Sequence, residues 1–357
     1  MNETNYTKPV FILLLFLSFT AGFAVLKLTS SFLIPIVLSL LVSFVFYPLL
    51  KKLSSWHVPW ILGIAACLVI SGAAFFIIGN LLYSGIKVLV TSSSKYEMQA
   101  FTVYSRIAEF LNLPFNETSS LFENMLSSLG VRNFLQEMLL SLGSMMVSFV
   151  KVFFMIALMA IFLTVELKSM PSKINSAFNE KLETGTKIIF IGKKIIKQIT
   201  HYLSIKFMLS VLTGVLVFTV CSAFSLEAPV IWGFLAFALN FIPNFGAIFS
   251  WAITSVFAVT QFYPSLSAAL ALSIILLVLN LLLGSLVEPR CLGSGLGISP
   301  FIILVSLSLW SWLWGFTGMI LSVPLMVIMK IIFENTTFLK PLAVLMGTKA
   351  RENQVSK

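Results

Sequence analysis

Apolar runs, separated by short polar joints, set the pattern of this chain. The first three fill residues 10–26, 32–50 and 60–83, close to or above the ~18–20 apolar residues with which a helix crosses a bilayer. No small-residue cleavage site closes the first run and a second span follows at once, which predicts a retained helix rather than a signal peptide. Residues 142–165, 207–226 and 264–286 form three further runs of spanning length. Two blocks break the rhythm. Residues 229–241 and 246–261 are each short of a crossing and meet at Ile242, Pro243, Asn244, Phe245 and Gly246. Likewise, the run that starts at Pro300 is interrupted by Gly315 and Gly318, and again by Pro324. The breaks fall at matching places: Gly246 is seventeen positions past Pro229, and Gly318 eighteen past Pro300.

A helix opened within hydrocarbon exposes backbone groups that must be satisfied elsewhere. Paired interrupted segments in corresponding positions therefore point to a transporter's binding site. Each block is either one kinked crossing, which gives about eight membrane segments, or a hairpin that enters and leaves on one side. The expected fold is an all-α polytopic integral membrane protein with two interrupted segments and an amphipathic helical extramembrane region. Its parts read as 9–86 (three membrane helices), 87–141 (extracytoplasmic amphipathic region), 142–166 (a fourth helix), 167–206 (basic cytoplasmic segment), 207–334 (transport core) and 335–357 (cytoplasmic tail).

Composition agrees. Hydrophobic residues make up 59% of the 357 and charged ones only 10%, with a mean hydropathy of +1.02; soluble domains carry about 25% charged residues. The net charge of +10 is placed for a membrane rather than for nucleic acid. Lys51 and Lys52 close the second span, and the stretch 167–206 holds eight lysines against two glutamates. The positive-inside rule then sets both termini in the cytoplasm and the region after residue 83 outside. In that outer region apolar residues recur at helical spacing (Phe101, Tyr104, Ala108, Leu111; then Leu121, Met125, Leu129), which predicts short surface helices broken at Pro114. The basic stretch reads as a solvated amphipathic helix, with Ile188, Ile191, Ile195, Ile199 and Leu203 along one face; a site for anionic lipid is the alternative. Cys67, Cys221 and Cys291 lack disulfide or metal-ligand spacing and read as small core residues.

No enzyme constellation is present, and no metal or cofactor site is expected: His57 and His201 stand at span ends without HExxH or GxSxG. Candidate chemistry lies in polar groups that are costly in lipid. Asn240 and Asn244 bracket Pro243, whose missing N–H frees a carbonyl upstream; with Gly246 they could hold a cation or a small polyol, or the asparagines could simply cap the helix end. Glu288 and Arg290 flank Pro289. Glu288 reads either as a proton- or cation-responsive carboxylate or as half of an interfacial ion pair that anchors the span. Asn280 and Gln261 suit interhelical hydrogen bonds, while Glu166 and Glu227 suit interfaces. Trp310, Trp312 and Trp314 alternate too closely for one helix face, so some must point to lipid or to a neighbouring subunit.

Two stretches resemble the autoinducer-2 exporter family of bacterial permeases. WGFLAFALNFIPNFGAI, after Pro229, is similar to the family's small-residue helix and Ile-Pro-aromatic-x-Gly-Pro turn. VEPRCLGSGLGISPFIILVSLSLWSWLWGFTGMILSVPL resembles its Pro-Arg, Gly-Leu, Ser-Pro, Trp-rich and Leu-x-Gly-x-x-Gly-Met series almost position for position. Asn244, Ala247, Ser285, Glu166 and Lys206 depart from residues common there, so substrate identity does not carry over. The resemblance implies an inner-membrane secondary transporter or exporter of a small polar solute, with homo-oligomers and membrane lipid as its surroundings. Monovalent cation/proton exchange is the close alternative. A non-transporting scaffold built on the outer region and the lysine stretch is the distant one.

Overall fold

The computed structural model describes residues 7–57, 59–110, 131–243, 245–292 and 297–347. Pro114, Asn244, Gly293, Gly295 and the tail beyond residue 347 lie outside them. Among the described residues every regular element is helical: α1 (Thr7–Leu28), α2 (Ser30–Ser55), α3 (Trp60–Thr91), α4 (Ser93–Phe110), α5 (Val131–Ala177), α6 (Leu182–Ala223), α7 (Pro229–Leu239), α8 (Phe245–Phe262), α9 (Leu266–Leu281), a π-helical turn (Leu282–Val287), α10 (Glu288–Leu292), α11 (Pro300–Asn335) and α12 (Lys340–Leu345). Among the described residues seven helices are long and apolar enough to cross a membrane. α7, at 11 residues, falls short of that length; the chain is an all-α polytopic membrane protein, with seven long apolar helices among its described residues.

The basic stretch and the fifth apolar run are one element. α6 continues for 42 residues from Leu182 to Ala223, since no proline interrupts it and its lysines and isoleucines are both good enough helix formers to carry on.

The contacts divide the chain into two compact units. The first gathers Met1–Lys52, Phe154–Tyr202 and Ser294–Lys357. In it Ser43 Oγ donates to the Ala160 carbonyl (3.1 Å) and Thr200 Oγ1 to the Phe44 carbonyl (2.7 Å), which ties α2 to α5 and α6. Lys330 Nζ donates to the Gly297 carbonyl at 2.6 Å, and Ser299 N–H to the Met346 carbonyl at 2.9 Å, fixing the entry to α11.

α11 is not a straight rod. Trp314 and Gly315 leave helical geometry, with Gly315 at φ 59°, a conformation cheap only for glycine. Beyond this corner the helix returns on itself. Ser306 Oγ donates to the Ser322 carbonyl at 2.9 Å, although sixteen residues of continuous helix would separate them by about 24 Å. Gly318 packs so closely on the Trp310 carbonyl that a Cβ would overlap it. The two arms thus form a tight hairpin. Of the three tryptophans, Trp314 is buried and donates to the Leu26 carbonyl of α1 (3.0 Å), whereas Trp312 is exposed beneath the Lys27 ammonium, 4.2 Å from its ring centre.

The second unit gathers Leu53–Phe153 and Leu203–Gly293. Its core is Val217, Cys221, Leu226, Trp232, Ala236, Ala258, Ala269, Leu272 and Leu276, contributed by α6, the joint after it, α7, α8 and α9. Gly214 and Gly233 let α6 and α7 cross in backbone contact, because a Cβ on either would meet the other's carbonyl oxygen within 3.0 Å. The outward faces carry Val215, Val256, Leu270 and Ile274, all exposed, the surface a lipid-bathed helix presents. Cys67 and Cys221 are buried as expected; Cys291 is exposed and is no core residue.

Candidate functional site

α7 begins at Pro229, directly after Ala228 in left-handed geometry (φ 53°). It ends at Leu239, four residues before Pro243, which has no N–H to continue a helix. The carbonyl of Leu239, four residues upstream of that proline, accepts the Ile242 N–H instead (2.8 Å). The turn therefore satisfies the oxygen that Pro243 leaves. Gly246 N–H then donates to the Ile242 carbonyl (3.2 Å), and α8 departs alongside α7. A Cβ at Gly246 would overlap the Leu239 carbonyl, so glycine sets the closeness of the arms. Nearer the base of the hairpin, the Trp232 and Phe257 rings lie 4.6 Å apart.

The same device appears in both units: a proline-led arm, a corner, and a glycine seated on a carbonyl of the first arm. The interrupted blocks are hairpins rather than kinked rods.

The tip of the α7–α8 hairpin is held by polar contacts. Asn240 Nδ2 donates to Ser210 Oγ (3.0 Å), and Ser210 is fully buried on α6. On α9, Asn280 Nδ2 donates to the Ala247 carbonyl (3.3 Å), the interhelical bond its sequence position suggests. One turn before Ser210, on the same face of α6, stands Lys206. Its side chain is 3% exposed and its Nζ lies 2.5 Å from Glu288 Oε1; Glu288 is 23% exposed. Glu288 opens α10 directly after the π-helical turn, a local widening common at functional sites. Thr213, also buried, continues the polar row on α6.

Of the candidate residues, Asn240, Pro243 and Gly246 come together at this tip, and Glu288 joins it through Lys206. Asn244 falls outside the described residues. Arg290 is exposed and the partner of Glu288 is Lys206, so the ion pair involves a helix 82 positions away rather than the neighbouring arginine. Gly315, Gly318 and Pro324 shape the hairpin of the other unit. Lys206 and Ser210 are the contacting side chains that the pattern alone did not single out. Their signal is a polar residue every three or four positions (206, 210, 213) in an otherwise apolar run.

A buried ion pair must offset a desolvation cost of several kcal/mol per ion, and does so only when its geometry is good. Between residues 207 and 287 the sequence has one charged residue, Glu227. It lies in the loop before α7, where Lys95 and Tyr96 of α4 bind its carboxylate. Partial burial pushes that carboxyl up, but the Tyr96 hydroxyl and the Lys95 ammonium outweigh it and hold Glu227 below the usual range. Burial, then the bond to Glu227 and its charge, push the Tyr96 phenol up. Gln261 completes this outer clasp, accepting the Glu227 N–H (2.8 Å) and donating to the Ser225 carbonyl (3.0 Å). Glu166, by contrast, meets Lys173 at the surface (2.7 Å), a contact worth little.

Hydroxyl, amide and ion pair bring donors, acceptors and both charges together at this point. A family model described as AI-2E family transporter matches residues 11–338. The AI-2 transport protein TqsA of Escherichia coli (strain K12) is 28% identical over 328 residues, covering 92% of both chains. A putative transport protein of Borreliella burgdorferi is 28% identical over 324 residues, 90% of this chain and 86% of its own. A sodium-lithium/proton antiporter of Halobacillus andaensis is 26% identical over 181 residues, 49% of this chain and 48% of its own.

Proposed function

The chain belongs to the AI-2E transporter family, and on that premise we propose that it moves a small polar solute across a bacterial inner membrane by alternating access, as an exporter. The observation that carries this reading is the α7–α8 tip, where the Asn240–Ser210 hydrogen bond adjoins the buried Lys206–Glu288 pair. A charge near a bilayer centre costs roughly 2.5–3.5 kcal/mol by insertion scales. Two opposite charges beside an opened helix are therefore expensive as scaffolding and useful as a binding surface. Solute hydroxyls would exchange with the Asn240–Ser210 bond, and Glu288 would accept from the solute while Lys206 keeps the pocket neutral. The lysines of α5 and α6 favour the cytoplasmic side for both termini, and each hairpin then enters and leaves the membrane on one side.

Flux from proteoliposomes loaded with autoinducer-2 or with short polyols tests this. Asn240→Ala and Glu288→Gln should each lower flux at least tenfold while the protein stays monodisperse, and Arg290→Gln should leave it unchanged. Wild-type flux in the first two would remove the tip from the mechanism. Cation/proton exchange is the second reading, favoured by the half-buried Glu288 carboxylate and by the likeness to the Halobacillus antiporter. A sodium- or lithium-driven proton flux in the same vesicles, lost in Glu288→Gln, would select it.

A further inference from the structure

We infer that the Lys206 ammonium is the built-in cation of the Glu288 site, occupying the place where the carboxylate would otherwise hold a sodium or lithium ion. This takes Glu288 as part of the transport site proposed above and specifies its ion chemistry. The ammonium nitrogen stands 2.5 Å from the carboxylate oxygen, a direct charge-assisted contact that fills the oxygen's cation-facing side. With 3% of its side chain exposed, Lys206 cannot swing its charge into water without opening the packing around it.

Among the described residues no cation other than Lys206 lies within ion-pair distance of Glu288. α7, α8 and α9 hold no acidic or basic residue, α6 beyond Lys206 has none up to its end, and α3 offers only Lys87 near its far end. Arg290, on the same short helix as Glu288, is exposed. The Glu288 charge is thus balanced by one group. Removing it leaves a carboxylate that must take up a cation or a proton from solution, and the Glu288 edge, 23% exposed, is open to either. Oxygen from a replacing amide, from water and from the carboxylate suits a hard monovalent ion. Lys206 consequently sets ion specificity: the wild-type chain is neutral at this point without sodium, and metal-ion coupling through Glu288 is blocked.

The test is thermal unfolding of the purified full-length chain at pH 8 in sodium, lithium or choline chloride at equal ionic strength. Wild type should give the same midpoint in all three. Lys206→Gln should melt lower in choline and rise by about 3 °C or more in sodium or lithium, as expected for a ligand bound only to the folded state. Lys206→Gln combined with Glu288→Gln should lose that rise. Sodium stabilisation of the wild type that Glu288→Gln abolishes overturns the inference, and so does a folded Lys206→Gln protein blind to both ions. If Lys206→Gln does not fold, wild type against Glu288→Gln decides alone: no Glu288-dependent ion response supports the inference, and such a response overturns it. The readout is binding, not flux, so failure of the solute reading leaves this result interpretable.

Discussion

An ammonium buried among apolar helices is tolerable only while a carboxylate meets it, so Lys206 and Glu288 act as a unit. Breaking a buried pair strands the survivor and costs roughly 3–5 kcal/mol, whereas replacing both partners by apolar groups of similar volume is often neutral. Lys206→Met should therefore lower the unfolding midpoint far more than Lys206→Met combined with Glu288→Leu; equal losses would show that the pair contributes packing alone. The Glu227 clasp behaves differently because it titrates. Its folded carboxyl ionises below the ordinary value of 4.5, so its contribution is fully present above that value and is lost as the pH falls through the folded pKa. Docking of α4, followed by limited proteolysis, should be constant from pH 5 to 8 and weaken below about pH 4.5. Glu227→Gln should weaken it throughout and remove the pH dependence. Glu288 was legible in the sequence as a costly carboxylate, but its partner was not. A lysine at a span boundary looks like any positive-inside lysine until the fold brings it against a residue 82 positions later.

The hairpins depend on close backbone approach more than on side-chain chemistry. Gly246→Ala and Gly318→Ala each push a methyl into a carbonyl oxygen, and overpacking of that kind costs about 1–3 kcal/mol. Gly192 of α6 has open space around the position of a Cβ, so Gly192→Ala should be neutral or stabilise by ~0.5–1 kcal/mol. Thermal unfolding of the three variants checks both statements; a neutral Gly246→Ala would mean the arms are not in contact. The break positions could be read directly, since Pro243 and Gly315 cannot sit quietly inside a helix. Whether a break kinks or reverses the chain could not, because that turns on contacts such as Ser306 with Ser322 that no local pattern encodes. The extent of α6 was not legible, for the opposite reason. A change from basic to apolar residues near Phe207 looks like a boundary, yet the backbone has no cause to stop there.

In the whole molecule, two units each carry one hairpin of the same construction, in a chain whose family transports solutes across membranes. The account requires the α7–α8 tip to be a wet polar site within the membrane, not a kink sealed in hydrocarbon. Thiol labelling measures this most directly. With Cys67, Cys221 and Cys291 replaced by alanine, a single cysteine at Asn240 should react with a small charged maleimide in intact membranes and be protected by transported solute. A cysteine at Val256, exposed on the outer face of α8, should stay unlabelled. An inert cysteine at position 240 in a folded protein, from either side of the membrane, would contradict the account.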